Sequence, residues 1–378
     1  MSKTQLGRDT AGPYETPTSR MLATKRFLQK RPVQVSLMLV LAAVIVFSWQ
    51  LLNNTANSTD PSIAGHPLSN SHTHLHTIAL GVRPGTLYLG THFGMFTSTD
   101  GGKSWPQPRG TLNTMMITAI AASPSHPDNL AVVAIPVSGV GVQSGVYFSH
   151  DGGNTWNASS PAGLSLSAYP YTVKAGSAAG GHFYAFYNYA GWYETRDMGL
   201  HWYAITAGAL SNMQTPSLLT DPANADHLWL GGDSGLYETR DDGKHWTHIA
   251  TVKGNVAAIV ASTTTPRLIF CATDQGIYRW YEGDTQITQL THLPMSPLPS
   301  RLVVDSTGSI LYALSGQDLW QTSDSGASWV HRSRFDRGDI IALVVDPSQP
   351  QHLYAGFFLP AEVLASVDGG GSWQTLTS

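Results

Sequence analysis

The sequence predicts an all-β protein: a seven-bladed β-propeller of four-stranded blades, preceded by one N-terminal transmembrane helix. The first observation behind this is an octet, Ser/Thr-x-Asp-x-Gly-x-x-Trp, that recurs six times, beginning at Ser98, Ser149, Thr195, Thr239, Thr322 and Ser366. Its aspartates (Asp100, Asp151, Asp197, Asp241, Asp324 and Asp368) are spaced by 51, 46, 44, 83 and 44 residues. The long step divides into two of about 41, with one decayed copy between them. Seven units of ~40 to 50 residues, each with short β-branched and aromatic runs, have the period of propeller blades. The second observation is composition: 37 Gly, 22 Pro and 11 Trp with only 12% charged residues, which excludes a disordered chain. The third is an uncharged run near the N-terminus.

Residues 1–34 carry seven basic and two acidic side chains, a net +5, whereas the rest carries 14 basic and 23 acidic. That body lacks the basic stripe nucleic acid requires, so no nucleic-acid partner is expected. Residues 35–52, VSLMLVLAAVIVFSWQLL, are apolar and, at ~1.5 Å per residue, long enough to cross most of a ~30 Å hydrocarbon core. Trp49 near the outer end suits an aromatic anchor, and the basic flank places the N-terminus in the cytoplasm. The expected location is thus the cell membrane, single-pass, with residues 1–34 cytoplasmic and the propeller outside. A cleaved signal peptide competes for the same run, but its apolar region is usually only ~7 to 15 residues and no small-x-small site follows. Residues 53–72 are polar with Pro, Gly and Ser and read as a linker.

The propeller occupies 73–378, with blades at about 73–110, 114–160, 168–207, 213–251, 255–292, 298–335 and 338–378. The last unit sets the frame of four strands: Ile340 to Val345, His352 to Gly356, Val363 to Ser366 and Ser372 to Leu376. In the first, the equivalents are Leu75 to Gly81, Thr86 to Thr91, Met95 to Ser98 and Ser104 to Pro106. Inner strands such as Ile117 to Ala122 are nearly unbroken apolar runs, as for strands covered on both faces. The fifth unit keeps its strands yet replaces the octet with Tyr278 to Asp284, so the octet reinforces a hairpin without being indispensable. Each unit has its own fourth strand, so ring closure is expected to rest on face packing between the last and first blades. Cys271, the only cysteine, sits in an apolar run and reads as a core thiol.

The octet suits a tight hairpin between the third and fourth strands. Its carboxylate accepts backbone N–H groups, its glycine supplies positive φ, and its tryptophan (Trp105, Trp156, Trp202, Trp246, Trp329 or Trp373) packs against the neighbouring layer. These octets resemble Asp-box, or BNR, repeats, found in sialidases, sortilin-type receptor domains, xyloglucan-cleaving hydrolases and the photosystem II assembly factor. The resemblance covers about residues 73–378. It implies that the six aspartates are structural and lie on the face opposite the binding or catalytic site. The photosystem II assembly factor is nearest in having one seven-bladed propeller of this length, and only a scaffold role is carried over.

No catalytic, cofactor or metal residues are assigned from the sequence. A sialidase's Arg-Ile/Leu-Pro tripeptide is absent, and so are a Gly-x-Ser-x-Gly elbow and a phosphate loop. An enzyme is therefore not favoured, with a surface glycoside hydrolase of exo-α-sialidase type as the alternative. The imidazoles of His72, His74 and His76, with His66 upstream, suit zinc, nickel or copper but lack a carboxylate or thiolate partner, and a polar linker is the preferred reading. The face opposite the octets supplies the candidate recognition residues: His92, Phe93, Tyr187, Tyr189, Asp233, Asp274, Asp318, Phe357 and Phe358 on strand-two-to-three turns, with Arg109, Arg301, Arg334 and Arg337 in blade connections. The expected function is a membrane-anchored binding or assembly scaffold for protein or carbohydrate.

Overall fold

In the computed structural model, alternating short strands and tight turns give seven antiparallel sheets arranged as a ring. The structure describes Leu68 and residues 73–377, apart from 109, 138–142, 166, 177–178, 207 and 214–215. Residues 35–52, His66, His72 and Arg109 lie outside the described residues. No described helix is long and apolar enough to cross a membrane.

Blade 1 comprises β1 (Leu75–Leu80), β2 (Leu87–Thr91) and β3 (Gly94–Ser98). Blade 2 comprises β4 (Met115–Ala122), β5 (Leu130–Pro136), β6 (Gly145–Ser149) and β7 (Asn157–Ser159). Blade 3 is β8 (Pro170–Ala175), β9 (Phe183–Tyr187), β10 (Gly191–Thr195) and β11 (Tyr203–Ala204). Blade 4 follows as β12 (Ser217–Thr220), β13 (Leu228–Gly232), β14 (Gly235–Thr239) and β15 (Thr247–His248). Blade 5 is β16 (Val256–Ala261), β17 (Leu268–Thr273), β18 (Gly276–Tyr281) and β19 (Thr288–Gln289). Blade 6 is β20 (Arg301–Val304), β21 (Leu311–Ser315), β22 (Asp318–Thr322) and β23 (Val330–Arg334). Blade 7 is β24 (Ile340–Asp346), β25 (Gln349–Phe357), β26 (Glu362–Ser366) and β27 (Gln374–Thr375).

The fourth strand expected at Ser104 to Pro106 does not form. In blade 4 the residue after the octet tryptophan, Thr247, pairs with Glu238 of the third strand. Blade 1 has Pro106 at that place, and proline offers no N–H to the ladder. The first blade is accordingly three-stranded.

Seven apolar clusters lie between the sheets, one at each seam, so each blade completes its core only against its neighbours. The seam between blades 7 and 1 joins Ala342, Val363 and Leu376 to Leu75, Ile78, Leu89 and Phe96. Two hydrogen bonds cross the same seam: Leu75 N to Phe358 O at 3.0 Å and Trp105 Nε1 to Leu376 O at 3.2 Å. Among the described residues the ring therefore closes by packing, without a strand exchanged between blades. Cys271 is buried and unpaired in the seam between blades 4 and 5, where burial raises its thiol pKa.

Inner strands β1, β4, β8, β12, β16, β20 and β24 contact one another in sequence around the ring, and β24 returns to β1. They enclose a central channel.

Candidate functional site: the recognition face and the central channel

The octets define one face. In the first, Ser98 Oγ donates to Asp100 Oδ1 at 2.7 Å and accepts the Gly102 N–H at 2.8 Å. Asp100 Oδ1 also accepts the N–H groups of Lys103 and Ser104, and Oδ2 accepts the Ser104 hydroxyl at 2.6 Å. The Ser104 hydroxyl, then the Ser98 hydroxyl and the Ser104 N–H, hold the Asp100 carboxyl down to about 2. The same serine-or-threonine and aspartate arrangement recurs at Asp151, Asp197, Asp241, Asp324 and Asp368. Lone pairs committed to turn geometry leave these carboxylates little to offer a substrate.

Four of the tryptophans tie their blade to the preceding one. The indole of Trp246 donates to Ile205 O, Trp202 to Ser159 Oγ, Trp373 to Ser333 Oγ and Trp105 to Leu376 O. Trp156 donates within its own turn, to Gly153 O, and the indole N–H of Trp329 is buried without a partner among the described residues. All six rings are half-buried rather than enclosed.

In blade 5, Ile287 stands where the other blades have tryptophan, immediately before the outer strand β19. It packs with Ile249 and Trp229 and leaves a groove of about 270 Å³ between blades 4 and 5, bordered by Trp280, Glu238, Arg240 and Asp284. Nearby, Asp221, His227 and Glu282 bring donor atoms within 4.8 Å of one another. Arg267 lies among them, 2.5 Å from Asp221 and 3.3 Å from Glu282, so this is an ion-pair network between blades that a metal would have to displace.

On the opposite face the candidates separate by burial. Tyr187 and Phe357 end second strands and point between sheets, 1% exposed, where they fill the core. His92 and Phe93 are also buried. His92 belongs to a cluster with His74 and His76, at ring-centroid distances of 5.6 and 6.1 Å, while Phe358 stacks on His74 at 4.9 Å. His74 and His76, read from the sequence as polar linker, instead lie beside the seam between blades 1 and 7, with His76 in β1. Desolvation, reinforced by neighbouring imidazoles, lowers His76 to about 3 and His92 to about 4. Among the described residues their donor atoms do not form a group close enough for one metal ion.

Other candidates remain at the surface. Asp318 pairs with His331 and Arg334, which also reaches Asp336, and Arg337 pairs with Glu362. Asp274 accepts the Asn255 N–H and side-chain amide. Asp233 is half-buried. Tyr189 is 69% exposed and stands edge-on to Tyr169 at 6.4 Å. Its φ of 64° lies in the left-handed region, which costs a bulky residue about 1 to 3 kcal/mol.

Arg301 is not in a loop: it opens β20, half-buried. Its charge acts on the Tyr171 phenol, although blades 4 and 5 separate the two blades on one side and blades 7, 1 and 2 on the other. Both stand on inner strands, so the two side chains face one another across the channel. Lys174, on β8, escaped the sequence reading; its signal was a lone lysine in the otherwise uncharged inner strand PYTVKA. Its side chain is exposed, and the protein around the channel partly desolvates the ammonium and lowers its pKa.

No protein-family model and no curated protein sequence matches the chain. Solved structures do, and they fit the seven-bladed fold. A GH74 xyloglucanase from Xanthomonas campestris is similar with a TM-score of 0.63 at 14% identity over 83% of this chain. The chain spans 56% of that enzyme. YCF48 bound to D1 peptide gives 0.59 at 15% identity, covering 80% of this chain and 96% of that one. The propeller domain of Cps50 (Swd1) from Myceliophteria thermophila gives 0.54 at 14%, covering 75% and 94%. At such identities the likeness defines the class of protein, a seven-bladed β-propeller, and its fold alone.

Proposed function

We propose that this chain is an Asp-box propeller, held outside the cytoplasm by an apolar N-terminal helix at 35–52, that binds a protein partner on the face opposite the octets. The observation that carries the reading is Tyr189: exposed, conformationally strained and braced by Tyr169. Strain retained at an exposed aromatic is what a binding site, not folding, accounts for. The octets support the Asp-box assignment through their repeated serine-aspartate geometry. YCF48, similar over most of its length, is a propeller captured with a peptide, which favours protein over carbohydrate as the partner class. Arg334 and Arg337, already paired with carboxylates, argue against an arginine triad for a sialoside.

The test uses full-length protein, in membranes and then solubilised. Resistance to alkaline carbonate extraction, with partner proteins captured by the wild type and lost with Tyr169→Ala/Tyr189→Ala, is the expected result. Release by carbonate would overturn the anchor, and identical capture by both proteins would overturn the binding face.

A further inference from the structure

The walls of the central channel are almost free of charge. Among the residues of the seven inner strands, the charged side chains are Lys174, Arg301 and Asp346. Asp346 sits at the octet end of β24 and turns away to accept the N–H groups of Ser348 and Gln349 at 2.9 and 3.3 Å. Both remaining charges are cations.

Strand register shows how unusual they are. Lys174 pairs opposite Tyr184, and the equivalent inner-strand places in the other blades hold Ala79, Ala121, Leu219, Val260, Val303 and Val344. Arg301 pairs opposite Leu314, where the other blades hold Thr77, Ala119, Thr172, Ser217, Ala258 and Ala342. Small or apolar residues satisfy the seam packing six times out of seven, so a cation at either place serves something other than the fold. Neither cation has a carboxylate partner among the described residues, whereas Arg83, Arg196, Arg240, Arg267, Arg334 and Arg337 each have one.

Two cations on the channel wall, partly desolvated and without counter-charge, carry a cost that a bound anion relieves. Arg301 brings a fixed fork of N–H donors suited to two oxygens, and Tyr171 a hydroxyl from the opposite wall. Lys174 adds a point charge from blade 3.

We propose that the central channel is an oxyanion-binding site, in which Arg301 with Tyr171, and Lys174 on the same wall as Tyr171, hold a carboxylate- or phosphate-bearing ligand. Tyr169 and Tyr189 are not among its ligands and its test does not use partner capture, so the two readings fail independently.

The test is the thermal midpoint of the full-length protein titrated with sodium phosphate or sodium acetate, total ionic strength being held constant with sodium chloride. Lys174→Met and Arg301→Met are the comparisons. Both variants remove an unpaired charge from the channel wall and are expected to melt at or above the wild-type midpoint in chloride alone. The wild type is expected to gain several degrees with saturation while both variants gain markedly less, which also removes the general stabilisation phosphate gives any protein. A response to phosphate alone identifies a phosphoryl ligand, a response to acetate alone a carboxylate, and a response to both a general oxyanion site. Equal shifts in the wild type and both variants, or none in any, would overturn the proposal. Should a variant fold poorly, Lys174→Arg keeps the charge and is expected to retain the anion response, and its failure to do so would count against Lys174 as a ligand.

Discussion

Trp246 donates its indole N–H to the carbonyl oxygen of Ile205, 2.9 Å away on the preceding blade. A residue of one repeat thereby secures the outer edge of another, and the same logic extends to Trp105 and Leu376, which are 271 residues apart in the chain. Because the Trp246 ring is half-buried, Trp246→Ala is expected to cost about 2 to 3 kcal/mol, below the ~3 to 5 kcal/mol of an enclosed aromatic. Urea denaturation measures it, and a loss under about 1 kcal/mol would mean that the indole does not brace the seam.

Gly102 tests the closure of the ring. Its φ of 87° is left-handed, and a Cβ there would collide with Leu376 of blade 7. Gly102→Ala combines backbone strain with overpacking and is expected to destabilise by about 2 to 4 kcal/mol. Gly101, also at positive φ but in open space, is the control: Gly101→Ala should lose only the backbone part, about 1 kcal/mol. Equal losses at the two sites would remove the case for seam contact.

The groove beside Ile287 invites the reverse experiment. Ile287→Trp restores the side chain that six other turns carry and fills part of the roughly 270 Å³ beside Ile249. A gain of about 0.5 to 2 kcal/mol is expected by calorimetry, as for other cavity-filling changes. A loss would indicate that Trp229 and Trp280 already close the space.

Buried imidazoles give stability a pH dependence with a definite sign. His76 and His92 titrate near 3 and 4 when folded and near 6.5 when unfolded, so below about pH 6.5 the unfolded chain binds more protons. Their contribution is complete above that pH and is lost as pH falls toward the folded values. Each site contributes a slope of up to about 1.4 kcal/mol per pH unit within that window. His76→Phe should flatten the curve between pH 4 and 6, read by denaturation at fixed pH, and an unchanged slope would place the titrating groups elsewhere.

Tyr189 separates stability from binding. Replacing it by glycine relieves the left-handed backbone, and Tyr189→Gly is expected to leave stability unchanged or raise it by up to about 1 kcal/mol while abolishing partner capture. Lowered stability together with retained capture would reverse the assignment.

The alternation of short strands, the seven-fold period and the hairpin role of the octet were legible in the sequence because they are local: a carboxylate reaches N–H groups three and four residues on, whatever the rest of the chain does. Reading recognition residues was less successful for the same reason. Tyr187 and Tyr189 are two residues apart, yet one is 1% and the other 69% exposed, since Tyr187 ends β9 inside a seam while the left-handed backbone at Tyr189 turns the next side chain out of it. The absent fourth strand of blade 1 was also foreseeable from Pro106, had the missing N–H been weighed.

Only the closed ring could place Arg301 opposite Tyr171, because those residues are 130 positions apart and belong to blades that are not neighbours in the ring. The sequence by itself determined how many blades there are and which face carries the octets, through interactions that span a handful of residues. The tertiary structure decided which of the remaining side chains face water, a seam or the channel, since that depends on what every other blade brings to the same space.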